Sequence, residues 1–250
     1  MKVFISGIGG RMGDEVVKAC LADSDIEIVG GYDLIKAEYP GVKVYSDWNR
    51  VDVKADVIID FSHPSTLTSV LDYAKSTNTP AIICTTGLSA EQKAEIGAAS
   101  KDVAIFFSAN MSLGVNVLVD LVKKATKVLE ENFDIEIIEK HHNQKIDAPS
   151  GTALTIADAI AETLTNEAEY TYDRHSVRKK RAKNEIGIHS LRGGSIVGEH
   201  SVIFAGQDEI IEIKHTATSK EVFAVGAVKA AKFLAGKPAG MYDMNDLISQ

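Results

Sequence analysis

The chain has 250 residues, 45% of them hydrophobic and 25% charged, a balance that suits a folded globular protein and excludes a disordered one. Its formal net charge of −8 argues against non-specific nucleic-acid binding, so any anion site has to be built locally. The only two cysteines, Cys20 and Cys84, offer neither a disulfide framework nor a metal spacing and fit a reducing, cytoplasmic compartment.

The opening MKVFISG is too short an apolar stretch for a signal peptide or a membrane span, so no membrane partner is expected. Lys2 to Ser6 reads as a buried strand that stops at glycines. Apolar spacing from Met12 to Leu21 predicts a helix, and Ile26 to Gly30 a second strand ending at Gly31-Tyr32-Asp33. Further strands are expected at Val57 to Phe61, Ala81 to Cys84 and Val103 to Phe107. Helices fill the gaps over Pro64 to Lys75 and Ser89 to Ser100, the latter with a capping box made by Ser89 and Gln92. This alternation predicts a parallel sheet covered on both faces.

After Asn110 the rhythm changes. A helix from Val115 to Glu130 leads into Phe133 to Glu139, which alternates like a half-buried strand, and a helix follows from Thr152 to Leu164. Strands then succeed one another without helices at Ile188 to Arg192, Ser195 to Gly198, Ser201 to Ala205 and Glu209 to His215. Such a run suggests an open mixed, mostly antiparallel sheet. The fold class expected is therefore α/β, a domain on a parallel sheet over residues 1–112, which the resemblance given below makes Rossmann-type, joined to an α+β domain over 113–220. A last helix from Lys220 to Ala235 stops at Gly236, with Pro238 beyond it.

Gly7-Ile8-Gly9-Gly10-Arg11-Met12-Gly13 stands between the first strand and the first helix. Glycines there let a pyrophosphate approach free N–H groups at the helix N-terminus. The spacing departs from the strict G-x-G-x-x-G pattern, because Met12 holds its last position, and an ordinary strand-to-helix turn is the bland alternative. Asp33, 20 residues past Gly13, can accept hydrogen bonds from a ribose diol and repels a 2′-phosphate. It tilts the cofactor choice toward NADH, although Arg11 and Lys36 could offset the repulsion and admit NADPH, and a solvated loop carboxylate is an equal alternative.

The most informative segment runs from Glu139 to Thr152. Adjacent His141 and His142 leave a strand end, and Lys145 follows. Ser150, Gly151 and Thr152 then open a helix whose N–H groups can hold a carboxylate. Histidine supplies a proton near neutral pH and lysine a fixed cation. Zinc is disfavoured, since no cysteine or H-E-x-x-H partner accompanies the histidines. Each residue alone could be structural; their compactness favours a site. The basic run Arg174 to Lys183 lacks interleaved aromatics and reads as a solvated loop or subunit contact.

These residues bring out a resemblance to the dihydrodipicolinate reductase family that covers essentially the whole chain. It rests on GIGGRMG (Gly7 to Gly13), DFSHP (Asp60 to Pro64), CTTG (Cys84 to Gly87) and SANMSLGVNV (Ser108 to Val117). It rests further on HHNQKIDAPSGTA (His141 to Ala153), HSLRGGSIVGEHSVIF (His189 to Phe204) and GKPAGMYDM (Gly236 to Met244). The resemblance implies NADH- or NADPH-dependent reduction of a cyclic dicarboxylate, hydride going to ring C4, by a homotetramer. It implies that residues 221–250 complete the first domain. Gly7, Ile8, Gly9, Gly10, Arg11 and Met12 would bind pyrophosphate and Asp33 the adenosine ribose. Cys84, Thr85, Thr86 and Ser108, Ala109, Asn110, Met111 would line the nicotinamide side. His141 would be the catalytic proton donor and Lys145 a second one, with His142, Ser150, Gly151, Thr152 and Lys220 holding carboxylates.

Two residues depart from some relatives. Met111 replaces an aromatic, which puts ring stacking in question, and Lys220 replaces an arginine, which exchanges a bidentate fork for a point charge. Other readings are an oxidoreductase acting on an amino acid or semialdehyde, or a non-catalytic NADH sensor. The latter would need no proton donors.

Overall fold

The computed structural model describes residues 1–35 and 38–249. Lys36, weighed above as a counter-charge, lies outside the described residues. The chain divides into two compact units, Met1–Leu113 with Lys220–Gln250, and Gly114–Ser219. In chain order the first unit opens with β1 (Lys2–Ser6), α1 (Arg11–Leu21), β2 (Glu27–Tyr32), β3 (Val44–Tyr45) and β4 (Val57–Asp60). Next come α2 (Leu67–Thr77), β5 (Ala81–Ile83), α3 (Ala90–Ala99) and β6 (Ala104–Phe107). The second unit holds α4 (Leu113–Leu129), β7 (Asp134–His141), α5 (Gly151–Ala161), β8 (Glu169–Thr171), β9 (Glu185–Arg192), β10 (Gly198–Ala205) and β11 (Ile210–Ala217). The chain ends in α6 (Glu221–Leu234), β12 (Gly240–Tyr242) and α7 (Met244–Ile248).

The first unit is built on a seven-stranded sheet in the order β12-β6-β5-β4-β1-β2-β3, every pairing parallel. Its strands are apolar on both sides because both faces are covered. Val3, Ile5, Val57, Ile59, Ile82 and Phe106 pack with α1 and α6, whereas Phe4, Ile58, Ile83 and Ile105 pack with α2 and α3. Each such side chain contributes about 1.5–3 kcal/mol by leaving water. The capping box of α3 is present, with Gln92 N–H donating to Ser89 Oγ at 3.2 Å and Ser89 N–H to Gln92 Oε1 at 3.0 Å. The short edge strands β3 and β12 and the helix α7 escape the sequence pattern. Two or three residues held by backbone pairing at a sheet edge carry no periodicity to read.

The second unit has a five-stranded sheet in the order β11-β10-β7-β9-β8. It is mixed, as expected, but its pairings divide evenly rather than being mostly antiparallel. The β10–β11 and β7–β10 pairs are antiparallel, and β7–β9 and β8–β9 are parallel. Parallel pairing needs a crossover, which α5 supplies between β7 and β8 and the irregular segment 172–184 supplies between β8 and β9. Of the two strands expected at Ser195 to Gly198 and Ser201 to Ala205, the second lies within β10, which begins only at Gly198, and residues 195–197 form a turn and loop before it. Glu199 and His200, which fall between the two expected strands, belong to β10, and His200 is buried.

Along β7 burial alternates strictly. Ile135 and Ile137 join the core with residues of α4 and α5. The same file continues to Glu139 and His141, so the core-facing row of an amphipathic strand ends in two polar groups. Among the described residues no helix is long and apolar enough to cross a membrane.

Candidate functional site

In open parallel sheets ligands bind beyond the carboxyl ends of the strands, where the strand order reverses. Here the chain leaves β1 for β2 on one side, and β4 lies on the other. Gly7 follows β1 with φ +77°, and a Cβ there would lie 2.7 Å from the Phe61 carbonyl oxygen. A Cβ at Gly13 would overlap the carbonyl oxygens of Gly7 and Ile8. Only glycine allows this close passage of turn and helix. Gly10 caps α1 without any side-chain hydrogen bond, so the helix N-terminus is left to an anion.

Asp33 follows β2 and accepts the Gly9 N–H at 2.8 Å and the Ile35 N–H at 2.9 Å. The carboxylate is thus brought to the glycine turn from 24 residues away. A cleft of about 250 Å³ opens there, lined by Gly7, Gly10, Asp33, Leu34, Ile35 and His63 among others. A larger depression of about 810 Å³, bordered by Met1, Asp56, Thr79 and Lys237, lies at the amino ends of the strands and is remote from this chemistry. The glycine cradle, the open helix end and the acceptor at Asp33 fit a dinucleotide.

The other residues assigned to the cofactor follow β5 and β6 on the same edge of the sheet. Thr85 Oγ1 donates to Asp60 Oδ2 at 2.6 Å, and Ser62 Oγ donates to Asp60 Oδ1 at 2.5 Å. Asp60 is fully buried, and burial pushes its carboxyl up, against the pull of those hydroxyls. It ties the ends of β4 and β5 together, and sequence reasoning missed it. Burial raises the Cys84 thiol well above its ordinary value, so it stays protonated and serves as packing. Thr86 and Ala109 are exposed. Ser108 and Asn110 fold a compact turn, in which the Asn110 N–H donates to Ser108 Oγ at 3.3 Å and the Ser112 N–H to Asn110 Oδ1 at 2.9 Å. The Met111 side chain is buried in the core.

The second unit gathers the histidine segment. His141 Nδ1 meets Glu139 Oε2 at 2.6 Å. Arg192, directly opposite His141 in the β7–β9 register, donates Nη1 to Oε2 and Nη2 to Oε1, each at 2.7 Å. The Ser150 N–H adds a bond to Oε1 at 3.1 Å. Burial would raise the Glu139 carboxyl, but Arg192, His141, Ser190 and the Ser150 N–H overcome that and hold it at about 2. Ser150 caps α5 by accepting the Ala153 N–H at 3.1 Å, and its Oγ meets His200 Nε2 at 3.1 Å. Burial first, and then the charge of His141, bring His200 down to about 4, so it is neutral near pH 7.

Lys145 pairs with Asp147 at 2.8 Å, and its charge also bears on His200. His142 is half-buried, and its carbonyl accepts the Lys145 N–H at 3.2 Å. Gly151 is exposed at the first turn of α5, with open space where a Cβ would point, and Thr152 is half-buried beside it. Lys220 belongs to the first unit, at the start of α6. Glu139, Arg192 and His200 are the residues that sequence reasoning did not single out. Glu139 had one visible signal: a charge in the apolar file of an alternating strand. Two of the three arginines of the basic segment are paired within the second unit, Arg174 with Glu136 and Glu185, and Arg181 with Asp134 and Glu136.

A parallel sheet in this order, with a glycine cradle and an acidic residue at the reversal of strand order, defines a Rossmann-type dinucleotide-binding protein. Residues 1–111 match the family model for the N-terminus of dihydrodipicolinate reductase, and residues 114–248 match that for its C-terminus. The chain belongs to the dihydrodipicolinate reductase family.

It is 50% identical over 247 residues to the 4-hydroxy-tetrahydrodipicolinate reductase of Clostridium novyi, covering 99% of this chain and 98% of that protein. It is 51% identical to the reductase of the same name from Caldanaerobacter subterraneus subsp. tengcongensis, covering 100% and 99%. Among solved structures, the fold resembles dipicolinate-bound dihydrodipicolinate reductase from Paenisporosarcina sp. TG-14. That match has a TM-score of 0.83 at 24% identity and covers 98% of each chain.

Proposed function

We propose that the protein reduces 4-hydroxy-tetrahydrodipicolinate to tetrahydrodipicolinate, consuming one reduced nicotinamide dinucleotide and one proton and releasing water. The observation that carries this reading is the group formed by His141, Lys145 and the N-terminus of α5, a proton source and an anion holder in an otherwise acidic protein. The curated relatives narrow the substrate to a cyclic dicarboxylate. Gly7 to Met12 would hold the pyrophosphate of a reduced nicotinamide dinucleotide at the start of α1 and Asp33 would accept its ribose hydroxyls; once bound, the group would supply the hydride for ring C4.

His141, acting as the imidazolium, gives up its Nε2 proton and is left as the neutral Nδ1–H ring facing Glu139. Lys145 holds a carboxylate and serves as the second donor. His142 and the N–H groups of Gly151 and Thr152 take the remaining carboxylate charge, and Lys220 adds a point charge. Asp33 modestly favours NADH, because a 2′-phosphate would meet a carboxylate. A cytoplasmic homotetramer belongs to the same reading and is checked by sedimentation.

The test is a steady-state assay with the cyclic dicarboxylate generated in situ and both cofactors compared. His141→Ala is expected to lower kcat by about 10²–10⁴-fold, the usual worth of a positioned acid, with NADH affinity intact. Lys145→Ala is expected to lower kcat and substrate affinity together. Unchanged kcat in His141→Ala refutes the proton-donor role. Absence of turnover with this substrate, alongside turnover of an amino acid or semialdehyde, refutes the substrate.

A further inference from the structure

Glu139 has no solvent-exposed side-chain surface, and four donors converge on its two oxygens. Oε2 receives His141 Nδ1 and Arg192 Nη1; Oε1 receives Arg192 Nη2 and the Ser150 N–H. A carboxylate so surrounded accepts only, and a buried charge is tolerable because it is paired and fully hydrogen-bonded. An imidazole facing a fixed acceptor carries its proton on the facing nitrogen. The ring of His141 is thereby committed to Nδ1–H, and Nε2 is the nitrogen left for chemistry. The backbone keeps that side clear, since a Cβ at Gly198 would stand 3.2 Å from Nε2.

Arg192 does more than neutralise Glu139. Its Nη2 also donates to the Asp147 carbonyl at 2.7 Å, in the loop that carries Lys145. The Gly193 N–H donates to the His141 carbonyl at 2.9 Å and the Asn143 N–H to the Gly194 carbonyl at 3.2 Å, so the segment after β9 laces the same loop. One ion pair thus sets the ring of one proposed donor and the backbone that bears the other.

We propose that Glu139, locked by Arg192, is a positioning residue for the reduction: it keeps the Nδ1–H of His141 in place throughout, so that the imidazolium gives its proton from Nε2 and the neutral Nδ1–H ring left behind takes up the next one there. This deepens the proposed function and rests on the reading of His141 as proton donor. Glu139 itself touches no reacting atom. It acts through the orientation and tautomer of a neighbour, as a buried carboxylate does behind a catalytic histidine elsewhere.

The decisive variant is Glu139→Gln. Because Arg192 donates to both oxygens, an amide places its NH₂ against a guanidinium N–H whichever way it turns. The arrangement then breaks with no change in side-chain size. In full-length protein labelled with ¹⁵N-histidine, and with the His141 signals assigned through His141→Asn, wild type is expected to show the Nδ1–H tautomer.

In folded Glu139→Gln that tautomer loses population and kcat falls by about 10²-fold, the lower range for a misplaced proton donor. KM for both substrates changes by less than the factor in kcat. Added to His141→Ala, the same change lowers kcat no further. An Nε2–H tautomer in wild type overturns the proposal even if the variant does not fold. So does a folded Glu139→Gln with wild-type kcat beside an inactive His141→Ala. If His141→Ala instead keeps its kcat, the proton-donor reading fails, while the wild-type tautomer still decides what Glu139 does.

Discussion

A single methyl group at Gly13 is expected to cost both stability and cofactor affinity. Gly13 lies inside α1 with no positive φ, so alanine meets no torsional penalty there. In an open helix the same change gains about 1 kcal/mol. Here the new Cβ would overlap the carbonyl oxygens of Gly7 and Ile8. Both belong to the backbone of the turn, so relief requires α1 to lift from β1 or the turn to open. Overpacking of this kind costs about 1–3 kcal/mol, which outweighs the propensity gain.

Unfolding free energy should therefore fall by up to about 2 kcal/mol, the difference between these two effects. The displaced N–H groups are the ones proposed to hold pyrophosphate, and a loss of about 1.4 kcal/mol there weakens the NADH Kd about tenfold. Gly97 in α3 is the control, with nothing within 4 Å of its Cβ position. Gly97→Ala should stabilise by about 0.4–1 kcal/mol and leave NADH binding alone. Urea unfolding followed by circular dichroism, together with NADH fluorescence titration, reads both effects. A Gly13→Ala protein with wild-type stability and wild-type Kd refutes the close-passage explanation.

Asp33→Ser should raise the ratio of kcat/KM for NADPH over NADH by about tenfold, equivalent to about 1.4 kcal/mol of removed repulsion; an unchanged ratio takes Asp33 out of cofactor choice. Acid should weaken the second unit in two steps of the same sign. His200 is lowered from 6.5 to about 4, chiefly by burial, so below pH 6.5 the unfolded chain takes up a proton that the folded chain refuses. Stability present at neutral pH is lost as pH falls toward 4. Glu139, held at about 2 against an ordinary 4.5, adds a loss between pH 4.5 and 2. Each step amounts to about 3 kcal/mol. Urea midpoints measured from pH 7 to 4 should fall in wild type and flatten in His200→Gln; parallel profiles contradict the assignment to His200.

What could be read from sequence is what local pattern encodes. The turn from Gly7 to Gly13 was legible because strand, glycines and helix are contiguous, and the Ser89–Gln92 box because its partners stand three residues apart. Asp33 was reached by a spacing rule, and the structure places it within hydrogen-bonding distance of Gly9. The ion pair behind His141 is of another kind. Arg192 is 53 residues from Glu139, and they meet only because α5 and β8 intervene before β9 returns parallel to β7. No periodicity records that return. His200 is similar: it lay between two expected strands, and its polar partner Ser150 stands 50 residues away.

The residues proposed to transfer protons are thus local in sequence, and the residues that fix their geometry are distant. That division follows from the physics of the site. A proton donor needs only a suitable side chain at a strand end. Holding its tautomer needs a charge buried on an adjacent strand, and a buried charge survives only where the completed fold brings it a counter-ion. In this chain the counter-ion arrives with β9, so the site cannot be ordered before the β7–β9 pair forms.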